Sequence, residues 1–508
     1  MRLGVVTAGT MVAAIRRRPR DADSFARRDR EMQKSHAVVL LAGLIACSAF
    51  GAPDDGAHAV GLPERFDNQK VVRVSPRGVA DISLLDQISG DRWTCGPGGA
   101  SGEADYRVKA SDLPLLNQAG ISYRVMIDDV QALIDAEQSE VNDPFRDRAF
   151  FDAYQNYSAV SDYVNTLAAS YPAFVTRISL GNSIQGREIF GFRLTSPVPP
   201  IGGSPRKPVV FFNSVQHARE WIGVMVDMYI ATQFLSQYPS NATIKSLLDT
   251  YEFVFVPLSN PDGYNITWTT NRLWRKNART ISGSIRGVDL NRNWSVGWGL
   301  NPGSSGSSTS DTYRGASPFS EPETQALRDY ALSVPKLVAA IDFHSYSQLV
   351  LRPWTYQYVL PSGIAGFNRI GAAMVNAIAA STGANYVYGG PDILYLASGT
   401  APDWFYGTTG AVALTIELRD TGQNGFVLPV SQIVPSGNDG LAAAIALVNG
   451  LCRADLNRDN VVDDSDFVLF ASAYDAFSTN TADFTGDAIT DDYDFVIFAD
   501  AYGGFSCP

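Results

Sequence analysis

Between residues 150 and 450 the chain carries apolar runs that lack polar alternation: KPVVFFNSV, YEFVFVPLSN, LVAAIDFHS and VALTIELRD. A strand with one face in water alternates apolar with polar residues, so runs like these require cover on both faces. That cover is encoded too, because WIGVMVDMYIATQFL and IAGFNRIGAAMVNAIAAS read as helices packing over the strands. Strands alternating with helices predict an α/β fold with helices on the faces of the sheet. The strand ends matter most for chemistry. In such a sheet, residues far apart in sequence meet along one edge.

A smaller α/β unit precedes this region. Over residues 52–140, KVVRVSP, DYRVKA and ISYRVMIDD read as strands. VADISLLDQI, SDLPLLNQAG and VQALIDAEQ read as helices, the second opened by a Ser-Asp cap. The stretch 141–149 is polar and charged, as expected of a connector open to proteases. Residues 1–51 read as a signal region. Residues 1–31 lack apolar periodicity and fit a start placed ahead of the true one at Met32. From there MQKSHAVVLLAGLIACSAFGAPDD has a lysine, a short apolar stretch and small residues at Ala49 and Gly51, the layout of a secretory signal. Cys47 ends LIAC, which resembles a lipobox, so a lipid anchor there is the alternative to cleavage after Gly51. Export permits disulfides, and Cys452 and Cys507 flank the C-terminal segment where a bridge would close it; Cys95 stands alone. No apolar run is long enough for a comfortable spanning helix. A formal net charge of −12 argues against nucleic acid as a partner.

The chain has four histidines, and two of them, His217 in SVQHAREWIG and His344 in VAAIDFHSYSQ, lie at the ends of apolar strands. Glu220 follows His217 by three residues. His, Glu and His form a ligand set suited to Zn²⁺, with a fourth position left open for water. Taken alone, each histidine serves equally well to satisfy a polar strand end. The balance comes from four further motifs: TTNRLWRKNAR, VDLNRNW, LYLASGTAPDW and ALTIELRDTG.

With QHAREW and DFHSYSQ, these motifs make residues 150–450 resemble the zinc metallocarboxypeptidases of the pancreatic carboxypeptidase A/B type. Residues 52–140 resemble the inhibitory pro-segment of the same family. The resemblance implies a mixed eight-stranded sheet with helices on both faces, and a ferredoxin-like α/β fold for the pro-segment. It implies His217, Glu220 and His344 as ligands of one catalytic zinc ion, and Glu417 as the general base. Arg275 would stabilise the oxyanion, and Asp289 would hold one ligand histidine by its other ring nitrogen. Asn291, Arg292 and Tyr395 match the residues that grip the terminal carboxylate of the substrate, and Arg219 matches an outer substrate contact. Basic-specific members carry an acid where this chain has Pro402, and Thr400 and Thr415 are uncharged as well. Apolar or aromatic C-terminal residues are therefore the expected substrates, because an unpaired buried charge is costly. If the pro-segment covers the cleft, the exported enzyme is latent until it is cut near Arg146 or Arg148.

Residues 451–508 contain a repeat, with DLNRDNVVDDSDFVLFASAY matching DFTGDAITDDYDFVIFADAY at an offset of 28 residues. Asp455, Asn457, Asp459, Asp463 and Asp466 have the spacing of a calcium loop, as do Asp483, Thr485, Asp487, Asp491 and Asp494. The pair resembles dockerin modules, which implies a small helical unit, one or two Ca²⁺ ions and a cohesin-like or cell-surface partner. Asn460 and Ala488 stand where such loops carry glycine, and Thr485 removes a charge, so the second loop is expected to be the weaker.

The expected function is a secreted zinc carboxypeptidase, made as a zymogen, that acts on the C-termini of peptides and proteins. Two alternatives belong to other classes: a related zinc amidohydrolase of cell-wall or glutamyl peptides, and an inactive carboxypeptidase-like binding module. Intact Glu417 and Arg275 speak against the inactive module, and the trio Asn291, Arg292 and Tyr395 against the amidohydrolase.

Overall fold

The computed structural model describes residues 63–94, 102–141, 149–200, 206–300, 302–334 and 336–451, and in the tail 454, 456, 462–475, 482–484 and 489–503. The signal region, all four cysteines, Arg146 and Arg148 lie outside the described residues. So do Asp455, Asn457, Asp459, Asn460, Thr485, Asp487 and Ala488.

The N-terminal unit runs β1 (Gln69–Val74), α1 (Val79–Ile88), β2 (Ser89–Arg92), β3 (Ala104–Lys109), α2 (Leu113–Gln118), β4 (Tyr123–Ile127) and α3 (Val130–Val141). Its strands are antiparallel in the order β2-β3-β1-β4, the split βαβ arrangement of ferredoxin-like folds. Val72, Val74, Leu85, Tyr106, Val108 and Leu116 close its core. The expected Ser-Asp cap does not form. Asp112 makes no capping bond at the start of α2, and the Ser111 hydroxyl bonds to it instead. Pro114 suits the first turn without a cap, because it has no N–H left orphaned there.

The larger unit follows as α4 (Tyr157–Ser170), β5 (Val175–Asn182), β6 (Glu188–Leu194), β7 (Val209–Ser214), α5 (Trp221–Gln237), α6 (Ala242–Thr250), β8 (Glu252–Val256) and α7 (Pro261–Thr269). A short hairpin, β9 (Thr280–Ile281) and β10 (Ser284–Ile285), leads to α8 (Pro322–Ser333), β11 (Leu337–Ser345), β12 (Leu349–Leu351) and α9 (Ile364–Thr382). β13 (Val387–Gly389), α10 (Ala401–Trp404), β14 (Val412–Leu418) and α11 (Ile433–Asn449) complete it. The eight-stranded sheet has the order β13-β12-β14-β11-β7-β8-β6-β5. The central strands β14, β11, β7 and β8 are parallel, and they are the four apolar runs of the sequence. Antiparallel pairing of β12 with β14 and of β6 with β8 makes the sheet mixed. The outer strands escape a reading by pattern because β12 and β13 have three residues each and β5 is half exposed.

Alternation along β7 and β11 divides the two faces. Ser214 and Phe343 face α5 and α11, where Gly223 lets α5 approach: a Cβ there would lie 3.0 Å from that of Ser214. Phe211 faces the other layer, against Tyr330 of α8 and Phe405 beyond α10. Asn213, Asp342 and His344 therefore share the second face.

The N-terminal unit docks through an apolar core of its own. Phe66, Trp93, Ile127 and Ile134 pack with Leu273, Tyr346, Phe426 and Val427 of the larger unit. Tyr346 donates to Asp105 at 2.7 Å, and Arg272 forms a buried pair with Glu137 of α3, with Nη2 to Oε1 at 2.8 Å.

In the tail, α12 (Asp464–Asp475) and α13 (Asp492–Gly503) pack around Val462, Phe470, Phe484 and Phe498. The repeat shows as crossed bonds, from the Tyr474 hydroxyl to Asp492 and from the Tyr502 hydroxyl to Asp464. Asp466 accepts from the amides of Leu456 and Asp463, and Asp494 from those of Phe484 and Asp491. Asp463 and Asp491 accept from Ser465 and Tyr493, and the backbone carbonyl of Asp483 takes the Lys336 ammonium. No described helix is long and apolar enough to cross a membrane.

Candidate active site

β7 ends at Ser214, and the turn that follows carries His217 and Glu220 into α5. On the neighbouring strands His344 of β11 pairs in register with Glu417 of β14, so both reach the same edge. The three candidate ligands are buried and close. His217 Nδ1 lies 2.8 Å from Glu220 Oε1, His344 Nδ1 lies 3.0 Å from Glu220 Oε2, and the two Nδ1 atoms are 3.0 Å apart. Among the described residues this is the one cluster of three or more groups spaced to hold a metal ion.

The far side of each ring decides what the near side offers. His217 Nε2 is 3.1 Å from Asp289 Oδ1, and His344 Nε2 is 2.7 Å from Asp342 Oδ2. A carboxylate accepts only, so Asp289 and Asp342 call for a hydrogen on each Nε2, and a metal ion on the Glu220 side would take the lone pair of each Nδ1 in place of a second hydrogen. Two lone pairs and a carboxylate facing one another at 3 Å repel unless a cation lies among them. The electrostatics show that the cradle favours positive charge, as a proton or as a metal ion. Burial opposes the charge of Glu220, yet His217 and His344 outweigh it and hold the carboxyl well below the usual range. Burial also opposes a charge on His344, and Asp342 and Glu220 overcome it, raising the group well above ordinary imidazole. A tetrahedral zinc ion at 2.0–2.1 Å sets its ligands roughly 3.3 Å apart, close to the edges found here. The donor set fits zinc.

Of the other candidates, Asn291, Arg292, Tyr395 and Glu417 line one cavity with His217 and His344, Arg275 and Asp289 join it through His217, and one lies elsewhere. Arg275 Nη2 donates to Asp289 Oδ2 at 2.9 Å. Burial works against ionised Asp289, but Arg275 first and His217 after it hold its carboxyl well below the usual range. Asn291 accepts from the Ala401 amide at 2.8 Å through Oδ1, which fixes its Nδ2 3.0 Å from His344 Nε2. Arg292 is 2% exposed, donates from Nη1 to the Asn291 carbonyl, and has no partner at Nε among the described residues. Gly399, with φ of +73°, lets its loop pass Arg292, since a Cβ there would sit 2.5 Å from the Arg292 carbonyl oxygen. Tyr395, Leu394, Thr400, Pro402, Thr415 and Glu417 line a cavity of about 460 Å³, mouth included. Burial pushes Glu417 up from the usual carboxylate range; His344 and Arg275 pull back and Glu220 adds to the rise. Arg419, just beyond the end of β14, pairs with Asp439 and leaves Glu417 facing the cavity. The exception is Arg219. It lies under the N-terminal unit, paired with Asp91 of β2 and stacked 4.0 Å over the Phe426 ring.

Two acids near the site lie inside the motifs DFHSYSQ and LYLASGTAPDW without being among the candidate site residues. Asp342 is visible only as the carboxylate two residues before His344 on one strand face. Asp403, fully buried, accepts from the Thr355 amide at 2.9 Å and from its hydroxyl at 2.6 Å. Burial pushes Asp403 up to about 7, with Thr355 pulling the other way. Thr355 and Thr400 line the cavity, whereas Asp403 is turned behind them.

Similarity to known proteins matches this geometry. The family described as zinc carboxypeptidase matches residues 160–443, and that described as carboxypeptidase activation peptide matches residues 72–137. Human carboxypeptidase A1 is 32% identical over 422 residues, covering 81% of this chain and 97% of that protein. Bovine carboxypeptidase B is 33% identical over 404 residues, covering 76% and 94%. The crystal structure of thrombin activatable fibrinolysis inhibitor superimposes with a TM-score of 0.67 at 26% identity, over 75% of this chain and 98% of that one. Carboxypeptidase A from Helicoverpa armigera gives 0.66 at 27% identity, over 76% and 98%. With its metal cradle at the parallel strand ends and relatives matched over nearly their whole length, the chain belongs to the zinc carboxypeptidase family and carries that family's activation peptide ahead of the enzyme.

Proposed function

We propose that this metallocarboxypeptidase is exported as a zymogen and removes apolar or aromatic residues from the free C-termini of peptides and proteins. His217, Glu220 and His344 would hold the zinc ion, which when bound would supply Lewis acidity at the scissile bond. Glu417, facing the cavity, takes the proton of the attacking water and returns it to the leaving amine. Arg275, aimed by Asp289, donates to the oxygen on which negative charge develops. Asn291, Arg292 and Tyr395 receive the terminal carboxylate.

The observation that carries this reading is the buried Arg292 with an unpartnered Nε, beside an Asn291 amide locked by Ala401. A buried cation with a spare donor calls for an anion, and a chain terminus supplies one where an internal peptide bond does not. The test compares a blocked tripeptide carrying a free C-terminus with its C-terminal amide. Cleavage of the acid alone is expected, and equal cleavage of both would overturn the exopeptidase reading. The apolar preference is supported by Pro402 and Thr415 in the lining and by the placement of Asp403 behind Thr355.

Latency is supported by the docking of the N-terminal unit over Arg219. The carboxyl of Asp91 is pushed up to about 6 by burial, with Arg219 and Arg107 pulling back and Asp311 adding to the rise. A carboxyl raised on docking binds its proton more tightly when docked, so docking gains most below the ordinary carboxylate range. That gain is lost as pH rises through about 6. The expected result is that the activity of uncut chain, as a fraction of the cut enzyme at the same pH, increases between pH 5 and pH 8. A flat ratio would refute it.

The tail is read as a dockerin-like module that binds calcium and docks on a partner at or outside the cell surface. Equilibrium dialysis of the full chain is expected to retain one or two Ca²⁺ ions, and no retention at millimolar calcium would end that reading.

A further inference from the structure

The two candidate ligand histidines are held from behind by carboxylates with different surroundings. Asp289 shares its charge with Arg275. Asp342 is 1% exposed, and among the described residues the one ion-pair partner found for it is His344 itself. Its other contacts are uncharged amides. Asn213 Nδ2 donates to Oδ1 at 2.6 Å, and Gln216 Nε2 donates to Oδ2 at 2.7 Å.

Gln216 cannot turn its amide over. Its Oε1 accepts from the Trp294 indole N–H at 2.9 Å, and an indole nitrogen only donates. Its backbone carbonyl is held in turn by Asn260 Nδ2 at 3.1 Å. The direction of hydrogen bonding is therefore set from Trp294 to Asp342, whose carboxylate calls for a hydrogen on His344 Nε2 at 2.7 Å, closer than the Asn291 amide nitrogen at 3.0 Å. Trp294 donates to Gln216, Gln216 donates to Asp342, and His344 donates to the same carboxylate. All four side chains are buried, so water does not offer a ready alternative to any of these bonds. The row joins VQHARE, NRNW and DFHS, and no step of the proposed reaction uses Gln216, Trp294 or Asp342.

From this geometry we infer that Asp342, oriented by Gln216 and Asn213 and anchored through Trp294, is a positioning residue. It fixes the tautomer and ring plane of His344 so that Nδ1 meets the metal. The inference rests on the zinc reading of the cradle.

The test uses the full chain, stripped of metal and reloaded. Zinc affinity is measured by competition with a chelator, and the ligand field is read from the visible bands of the Co²⁺-loaded protein. Asp342→Asn keeps the shape but puts an amide where three donors converge on a carboxylate. It is expected to weaken zinc binding 10–100-fold and to shift the cobalt bands. Gln216→Glu keeps an acceptor for Trp294 and sets a carboxylate against Asp342, and its effect is expected in the same direction. Wild-type affinity together with unchanged bands in Asp342→Asn would overturn the inference. If that variant does not fold, the same result in Gln216→Glu overturns it. A wild-type chain that binds no zinc would sink the zinc reading itself, a distinguishable outcome.

Discussion

Glu417→Gln is expected to lower kcat by about 10²–10⁴-fold while KM and zinc content stay near wild type. Glutamine preserves the size of the side chain and leaves the strand pairing with β11 in place. What it loses is a group able to accept a proton from water and hand it on to an amine. Glu417 is suited to that exchange because burial lifts it from the usual carboxylate range toward a working pH, while Arg275 and His344 keep it from rising without limit. It lines the cavity and is paired in register with a candidate ligand, so a reacting carbonyl there has both groups at hand. Steady-state kinetics with a blocked peptide, alongside metal analysis, provides the measurement. A variant with one zinc per chain and kcat within threefold of wild type would remove Glu417 from the mechanism.

The second large effect concerns latency. Where the N-terminal unit docks, Glu137 of that unit and Arg272 of the larger one form a pair whose side chains are each 3% exposed. The guanidinium stacks 3.7 Å from the Trp221 ring centroid and also donates to the carbonyls of Arg219 and Phe426. Glu137→Ala strands that cation under the N-terminal unit. Breaking a buried pair from one side costs about 3–5 kcal/mol, because the remaining charge keeps its desolvation penalty without its partner. Docking should weaken on the order of 10²–10³-fold, seen as a rise in the activity of the uncut chain. Glu137→Gln separates loss of charge from loss of volume, since it retains the packing and one hydrogen-bonding oxygen. Uncut Glu137→Ala protein as inactive as wild type would show that α3 does not hold the unit down.

Much of the fold was legible because the central strands are apolar on both faces, a pattern that a partly solvated strand does not produce. The outer strands were not, because β12 and β13 are too short to carry a period and SGDR of β2 is polar. The residues of the cradle were legible for a related reason. His217 and His344 lie at or just past the ends of apolar runs, and the motifs around them, with Glu220 three residues after His217, gave them their reading. Asp342 did not stand out, although it is as close to His344 as Asp289 is to His217, because an acid within a strand has many uses. Arg219 was recognised by its motif as a substrate contact, but its pairing with Asp91 brings together residues 128 positions apart.

Sequence alone determined the sheet's parallel centre, the chemical set His217, Glu220, His344 and Glu417, and the α/β unit placed ahead of them. The strands and the leading unit follow from side-chain type and local periodicity, and the chemical set from the resemblance of its motifs, all of which the chain carries whatever its neighbours are. Tertiary structure alone decided which nitrogen of each histidine faces the cradle, which cation Asp289 shares, and that Arg219 and Arg272 lie beneath the N-terminal unit. Those outcomes depend on which distant groups arrive within about 3 Å, a distance at which hydrogen-bond direction is settled and over which local pattern has no control.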